Sequence, residues 1–218
     1  MKNQNLQFNR TTPPVRIVGS LLCALLVSLA ALTARAQTAT VIAPQGDAFY
    51  TNGHEAPAFL DIIAASFTIS NTLTLTVDVA GSLDALPNPP GSPGVFDWHF
   101  ALNTDDSTYP PGLPLPPGHF APAEFGVDAL WDGKAFSGVL YDRRPALTGG
   151  SALLYSIPVS VSGSRVTITV PAALAAQIRA AVVLPGATWN CFTVRANSSG
   201  GTDAVHQADV IGRQPWPQ

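Results

Sequence analysis

The side chains able to carry proton or metal chemistry in this chain are 14 Asp and Glu, four His and two Cys. A glycosidase-type reaction needs two carboxyl groups about 5–10 Å apart, one of them held protonated. Glu124 and Asp128 fall on one face of a strand-like run, but four residues of strand separate them by about 13 Å. Glu124 comes closer to Asp97 or Asp105 only if their strands pair. Asp97 and His99 share a face about 7 Å apart, too far for a direct hydrogen bond, and read as two solvated side chains. The histidines, His54, His99, His119 and His206, lack the spacing of metal ligands. No Gly-x-Ser-x-Gly elbow, His-Glu-x-x-His helix or phosphate-cradling glycine loop occurs. Ser and Thr are plentiful, as strand surfaces require, and single out no nucleophile. The expectation is a protein that is not an enzyme.

The beginning of the chain points to export. Lys2, Arg10 and Arg16 precede an apolar run at 17–32, and Ala34-Arg35-Ala36 places small residues where a signal peptidase reads them. The run is about 16 residues, shorter than the roughly 20 of a spanning helix. Leu22 before Cys23 does not suit a lipoprotein anchor. The expected signal peptide is 1–36 and the expected domain 37–218, secreted or periplasmic, with no membrane span after cleavage. Four of the 11 basic residues and none of the 14 acidic ones lie in the leader, leaving seven against fourteen and a net charge of −7. Lys134 is the only lysine left, and nucleic acid, which needs clustered positive charge, is excluded as a partner. Residues 37–218 suit one domain that buries roughly 70% of its unfolded surface. Cys191 is then the one remaining cysteine, and its strand-like neighbours Trp189, Phe192 and Val194 mark it as a buried, inert thiol.

The elements that must position these residues are strands. Ile63, Ala65, Phe67 and Ile69 alternate along 61–70, and Leu73, Leu75, Val77 and Val79 along 72–80, with Asn71 at the turn between them. Phe96, Trp98, Phe100 and Leu102 point inward and leave Asp97 and His99 outward. Phe125, Val127, Ala129 and Trp131 do the same and leave Glu124 and Asp128 outward. Asp132-Gly133 is a hairpin signal leading into 135–141. Tyr155, Ile157, Val159 and Val161 alternate up to a turn at 162–164, Val166, Ile168 and Val170 follow, and 188–195 is the last clear strand. Pro171 opens a run of good helix formers. The predicted fold is all-β: an antiparallel sandwich, jelly-roll or immunoglobulin-like, with one short helix near 171–180. Two proline-rich loops, 84–94 and 105–122, flank the strand that carries Asp97 and His99.

Gly46-Asp47, the strand opening at Asp61-Ile62, Phe100-Ala101-Leu102-Asn103-Thr104-Asp105-Asp106, Ala123-Glu124-Phe125-Gly126-Val127, Asp132-Gly133, Arg165 to Pro171, Trp189 and Asp209 together form a pattern. It resembles a β-sandwich module of secreted bacterial proteins, similar to DOMON-like domains and family 9 carbohydrate-binding modules, over nearly all of 37–218. Haem-binding DOMON domains use Met and His ligands, and the single methionine here is Met1, so the resemblance does not extend to haem. Carbohydrate-binding relatives stack sugars on exposed rings. Trp98 and Trp131 fall on apolar faces, which leaves Tyr50, Tyr109, Phe120 and Tyr141 as platforms, with Glu124 beside them. Calcium stabilises such sandwiches through loop carboxylates, and Asn103, Asp105 and Asp106 are the ligands the resemblance implies, with Asp47 or Asp209 joining them.

The expected function is that of a secreted, non-catalytic module binding a glycan or a surface or matrix component. The alternatives are a small hydrolase using Glu124 with a loop Asp, or a structural partner of another exported protein. The leader carries its own test. Intact-mass measurement of the exported protein should give a chain beginning at Gln37, and a mass that retains 1–36 contradicts the cleavage.

Overall fold

Alternating apolar and polar side chains give a strand one dry face, and that face must be buried against a second sheet. The structure, a computed structural model, describes residues 36–50, 53–90, 94–105, 123–197 and 205–218. In chain order the strands are β1 (Gln37–Ile42), β2 (Ile62–Ile69), β3 (Leu73–Val79), β4 (Gly94–Asn103), β5 (Phe125–Trp131) and β6 (Phe136–Asp142). There follow β7 (Leu153–Ile157), β8 (Val159–Ser162), β9 (Arg165–Val170), β10 (Thr188–Asn197) and β11 (Val205–Pro215). A 3-10 turn spans Ala58–Leu60, and two helices, α1 (Arg144–Leu147) and α2 (Ala172–Ala181), complete the set.

The strands form two antiparallel sheets, β1-β2-β3-β9-β8 and β11-β10-β4-β5-β6-β7. Their dry faces meet in one core. Phe67 on β2 reaches across to Trp189 on β10, ring centroids 6.1 Å apart at 69°, and to Trp216, 4.8 Å away at 89°. Both are edge-to-face contacts of the kind aromatic quadrupoles favour. Two of the buried indoles have their donors paired: Trp98 Nε1 donates to Phe59 O at 3.2 Å and Trp189 Nε1 to Pro215 O at 3.1 Å. Polar ties also cross between the sheets, with Ile62 N donating to Asp209 Oδ2 at 2.7 Å and the Thr193 hydroxyl donating to Leu60 O.

The β2–β3 hairpin forms about Ser70–Thr72, and the Asp132-Gly133 turn closes β5 onto β6. There Asp132 Oδ1 accepts from the amides of Lys134 and Ala135, and Gly133 takes φ +92°, which glycine adopts without strain. Helix α2 begins one residue after Pro171, buries Ala175 and Ile178, and is pinned by Arg179 Nη1 donating to Ser70 O at 2.6 Å.

The all-β sandwich and the helix agree with expectation, and four features differ. The run at 155–161 is two strands, because Pro158 has no N–H for a ladder: β7 ends in the six-stranded sheet and β8 begins in the five-stranded one. Strands β1 and β11 are both edges, visible only through their pairing with β2 and β10. A second helix, the four-residue α1, follows β6.

Gly138 on β6 lies under the chain where it leaves β7 for β8. A Cβ there would press on Ile157 O and come within 2.6 Å of Val159 Cγ2. Gly138→Ala should therefore destabilise the fold by about 1–3 kcal/mol, read as a lower urea midpoint at unchanged slope. An unchanged midpoint would show that the crossover relaxes freely.

Candidate functional site on the outer face of the six-stranded sheet

Strand β4 is central to its sheet, so its outward side chains acquire neighbours from both flanks. Pairing with β5 sets His99 opposite Asp128, and pairing with β10 sets it opposite Phe192. Asp97 stands opposite Leu130 and Val194, and Gly126 on β5 stands opposite Ala101 and Tyr141. All these residues face away from the core.

This face was expected to be wet, and Asp97 and His99 to be solvated. The structure corrects that. His99 and Asp128 are each 5% exposed, Phe192 is 6% exposed and Val194 is 4% exposed. Ala101, Ala123, Phe192 and Val194 form a second apolar cluster on this side. Charged groups held in such surroundings must compensate one another.

They do so across the strands. His99 Nδ1 is set directly against Asp128 Oδ1, and the imidazole stacks on Phe192 with centroids 4.3 Å apart at 32°. Tyr141 on β6 lies beside Asp128, close enough for its phenol to be affected by that carboxylate. Burial raises the Tyr141 phenol above its ordinary range, and the Asp128 and Asp97 charges raise it further, so it stays a donor. Arg143 lies over the Tyr141 ring, 5.9 Å from its centroid. Burial also lifts Asp97 well above the usual carboxylate range, and Asp128 adds to the lift while Arg143 opposes it. Gly126 makes room for the arrangement, since a Cβ there would lie 3.0 Å from His99 Cε1 and 3.1 Å from Arg143 Nη2.

Asp97, His99 and Asp128 each offer one ligand atom within 4.8 Å of the others. One imidazole and two carboxylates suit a divalent transition metal. Here His99 lies against Asp128 and Arg143 supplies an opposing charge, while Asp97 Oδ1 and Asp128 Oδ1 are buried with no hydrogen-bond partner. Comparison with family models, curated proteins and solved structures finds no match. The residues themselves carry the assignment of this face.

The sequence-based candidates distribute unevenly. Tyr141 belongs to the cluster. Glu124 is buried at the start of β5, where its Oε2 accepts from Thr104 N at 2.8 Å. Asn103 is buried at the end of β4, opposite Thr188, and Asp105 is half-buried just beyond. Asp106, Tyr109 and Phe120 lie outside the described residues. Tyr50 is not an open platform: it is buried, and Arg195 covers its ring at 4.6 Å. The sequence reading missed Asp128 as the partner of His99, and Arg143 and Phe192 altogether. The strand alternation placed Asp97, His99 and Asp128 on outward faces, which was the available signal.

A shallow groove of about 480 Å³ beside β1 and α2 is lined by Gln37, Ile69, Arg179, Val182, Leu184 and Trp216 among others. Its Arg179 is engaged by the Ser70 and Asn71 carbonyls.

The lifted Asp97 has a consequence for stability. An acid whose folded pKa lies above its unfolded value binds more protons when folded, so stability falls as pH rises from the unfolded value toward the folded one. Asp97→Asn removes that loss. The variant should have a higher urea midpoint than the native protein at about pH 7, and the gap should close near pH 4, where the unfolded carboxyl is half protonated. A native protein more stable than the variant at neutral pH would show that Arg143 outweighs burial.

Proposed function

We propose that this chain is an exported, non-catalytic binding module that takes a glycan on the outer face of its six-stranded sheet, around Tyr141. Sugar recognition needs an apolar or aromatic surface with a few placed polar groups. Tyr141 provides a half-buried ring that lies beside Asp128 and whose face is backed by Arg143. Leu154, opposite Tyr141 on the edge strand β7, is 63% exposed and extends the surface outward. The observation that supports the proposal is the packing of Arg143 over this ring. A ring already held by such packing gives up little rotamer entropy on binding, which favours a weak, flat ligand such as a polysaccharide.

A carboxylate-dependent hydrolase is the second reading, and one observation favours it. Asp97 and Asp128 are close enough to interact, and burial lifts the first, as a general acid requires. Glu124 is an unsuitable partner because its carboxylate holds the Thr104 amide.

A glycan array probed with the exported protein separates these readings. Binding without turnover is expected, with Tyr141→Ala weakening affinity by about tenfold or more, or at least 1.4 kcal/mol, while the melting temperature stays within a few degrees. An array without hits removes the glycan assignment. Hydrolysis of a bound polysaccharide, abolished by Asp97→Asn, replaces it with the enzyme.

A further inference from the structure

Away from the Tyr141 face, three carboxylates from distant parts of the chain converge. Asp47 precedes the short Phe49–Glu55 bridge, Asp61 stands just before β2, and Asp209 lies on β11. One carboxylate oxygen from each is within 4.8 Å of the other two. That figure has a geometric meaning. Two oxygens that both bind a calcium ion at about 2.4 Å can be no more than about 4.8 Å apart, and this trio meets that condition.

Like charges at this spacing repel, and among the described residues no arginine, lysine or histidine forms an ion pair with any of the three. Backbone amides neutralise only part of the charge. Gly46 N donates to Asp61 Oδ2 at 2.8 Å, and Ile62 N donates to Asp209 Oδ2 at 2.7 Å. The remaining Asp61 oxygen, Oδ1, is buried with no hydrogen-bond partner, in a residue only 4% exposed. A buried carboxylate oxygen left unpaired is costly, and the usual remedy is a bound cation or water. Room exists beside it, because a cavity of about 170 Å³ adjoins Asp61 and is lined in part by Gln45, Gly46, Glu55 and Ala56.

We propose that Asp47, Asp61 and Asp209 form a calcium site. The donor set is oxygen alone, which selects a hard cation over zinc or copper. Calcium suits it better than magnesium, because the donors come from a surface segment, a strand start and an edge strand, an irregular set, and calcium tolerates irregular coordination while magnesium demands a near-ideal octahedron at shorter distances. The resemblance implied Asn103, Asp105 and Asp106 with Asp47 or Asp209 joining them; the site proposed here unites Asp47 and Asp209 with Asp61 instead, and it does not depend on the glycan assignment. Bound calcium would clamp the segment around Asp47 and the start of β2, in the five-stranded sheet, to β11, in the six-stranded one. Burial already raises the Asp209 carboxyl, with Asp47 and Asp61 adding to the rise against its two amide donors, and an ion would reverse the balance.

The test is calcium titration of the EDTA-dialysed exported protein by calorimetry and thermal melting. One saturable site is expected, with a Kd near the ~10⁻⁴–10⁻³ M range of extracellular modules. The melting temperature should rise by about 5–10 °C at roughly a hundredfold excess over Kd. Magnesium at the same concentration should do markedly less. Asp47→Asn is the informative variant, because Asp47 is exposed while Asp61 is buried. It should bind calcium at least about tenfold more weakly, while its metal-free melting temperature equals or exceeds the native value, since repulsion is relieved. The proposal is overturned by the absence of heat and of a thermal shift up to about 10 mM calcium, by an equal response to magnesium, or by an Asp47→Asn protein that titrates like the native one.

Discussion

Strand β4 is buried on both of its faces, and much of the molecule is arranged around that constraint. Inward, Phe96, Trp98, Phe100 and Leu102 fill the space between the sheets. Outward, the same backbone carries Asp97, His99 and Ala101, and these too are withdrawn from water, Asp97 half and the other two almost entirely. A strand dry on one side tolerates any polar residue on the other. A strand dry on both sides requires its outward polar residues to find partners at fixed ladder positions. The register of β4 with β5 and β10 meets that requirement by setting Asp128 and Phe192 on either side of His99.

Charge balance follows from the same enclosure. Two carboxylates on an outer sheet face would ordinarily be screened by solvent; enclosed, Asp97 is lifted first by burial and then further by the Asp128 charge. Arg143 at the end of β6 supplies the opposing charge, its backbone amide fixed by Glu124 O at 2.8 Å. Just beyond it, Arg144 forms a two-pronged pair with Asp142 at 2.8 and 2.6 Å and lies 4.5 Å from the Phe125 ring. Consecutive arginines thus serve opposite sides of the sheet. Arg144 secures the start of α1 on the core-facing side, and Arg143 is left for the outer cluster. A single turn of helix after β6, with Pro145 in its first turn, gives the two side chains these different directions.

Most of the fold was legible from alternation, because a strand with one wet and one dry face writes its period into the sequence. β2, β3, β5, β9 and the inward face of β4 read directly. The edges did not. β1 has a largely exposed pattern and β11 runs through Asp209, Gly212 and Gln214, so neither shows a clean period, and only pairing with a neighbour defines them. The candidate site was legible in part for a related reason. Alternation tells which face a residue is on, and it placed Asp97, His99 and Asp128 correctly. It does not tell which residue stands opposite, since His99 meets Phe192 through a ladder between strands about ninety residues apart in the chain. Nor does it tell whether an outward face is covered, which is why solvation was expected and burial found.

Cys191 shows how the two charged clusters bear on one residue. It sits on β10 with no exposure, its side chain turned into the core between the sheets, and β10 pairs with the strands bearing Asp97 and Asp209. Burial pushes its thiol well above the ordinary range, and the charges of Asp209 and Asp97 push it further. The thiolate is the form that reacts with oxidants and disulfides, so a thiol held protonated and out of reach is chemically silent. An exposed, ionised cysteine is ordinarily a liability for oxidation and mispairing. Here burial suppresses that chemistry, and the acidic groups on either side of β10 add to the effect. The residue therefore behaves as a small apolar filler beneath Trp189 and Phe100, needing no partner and offering none.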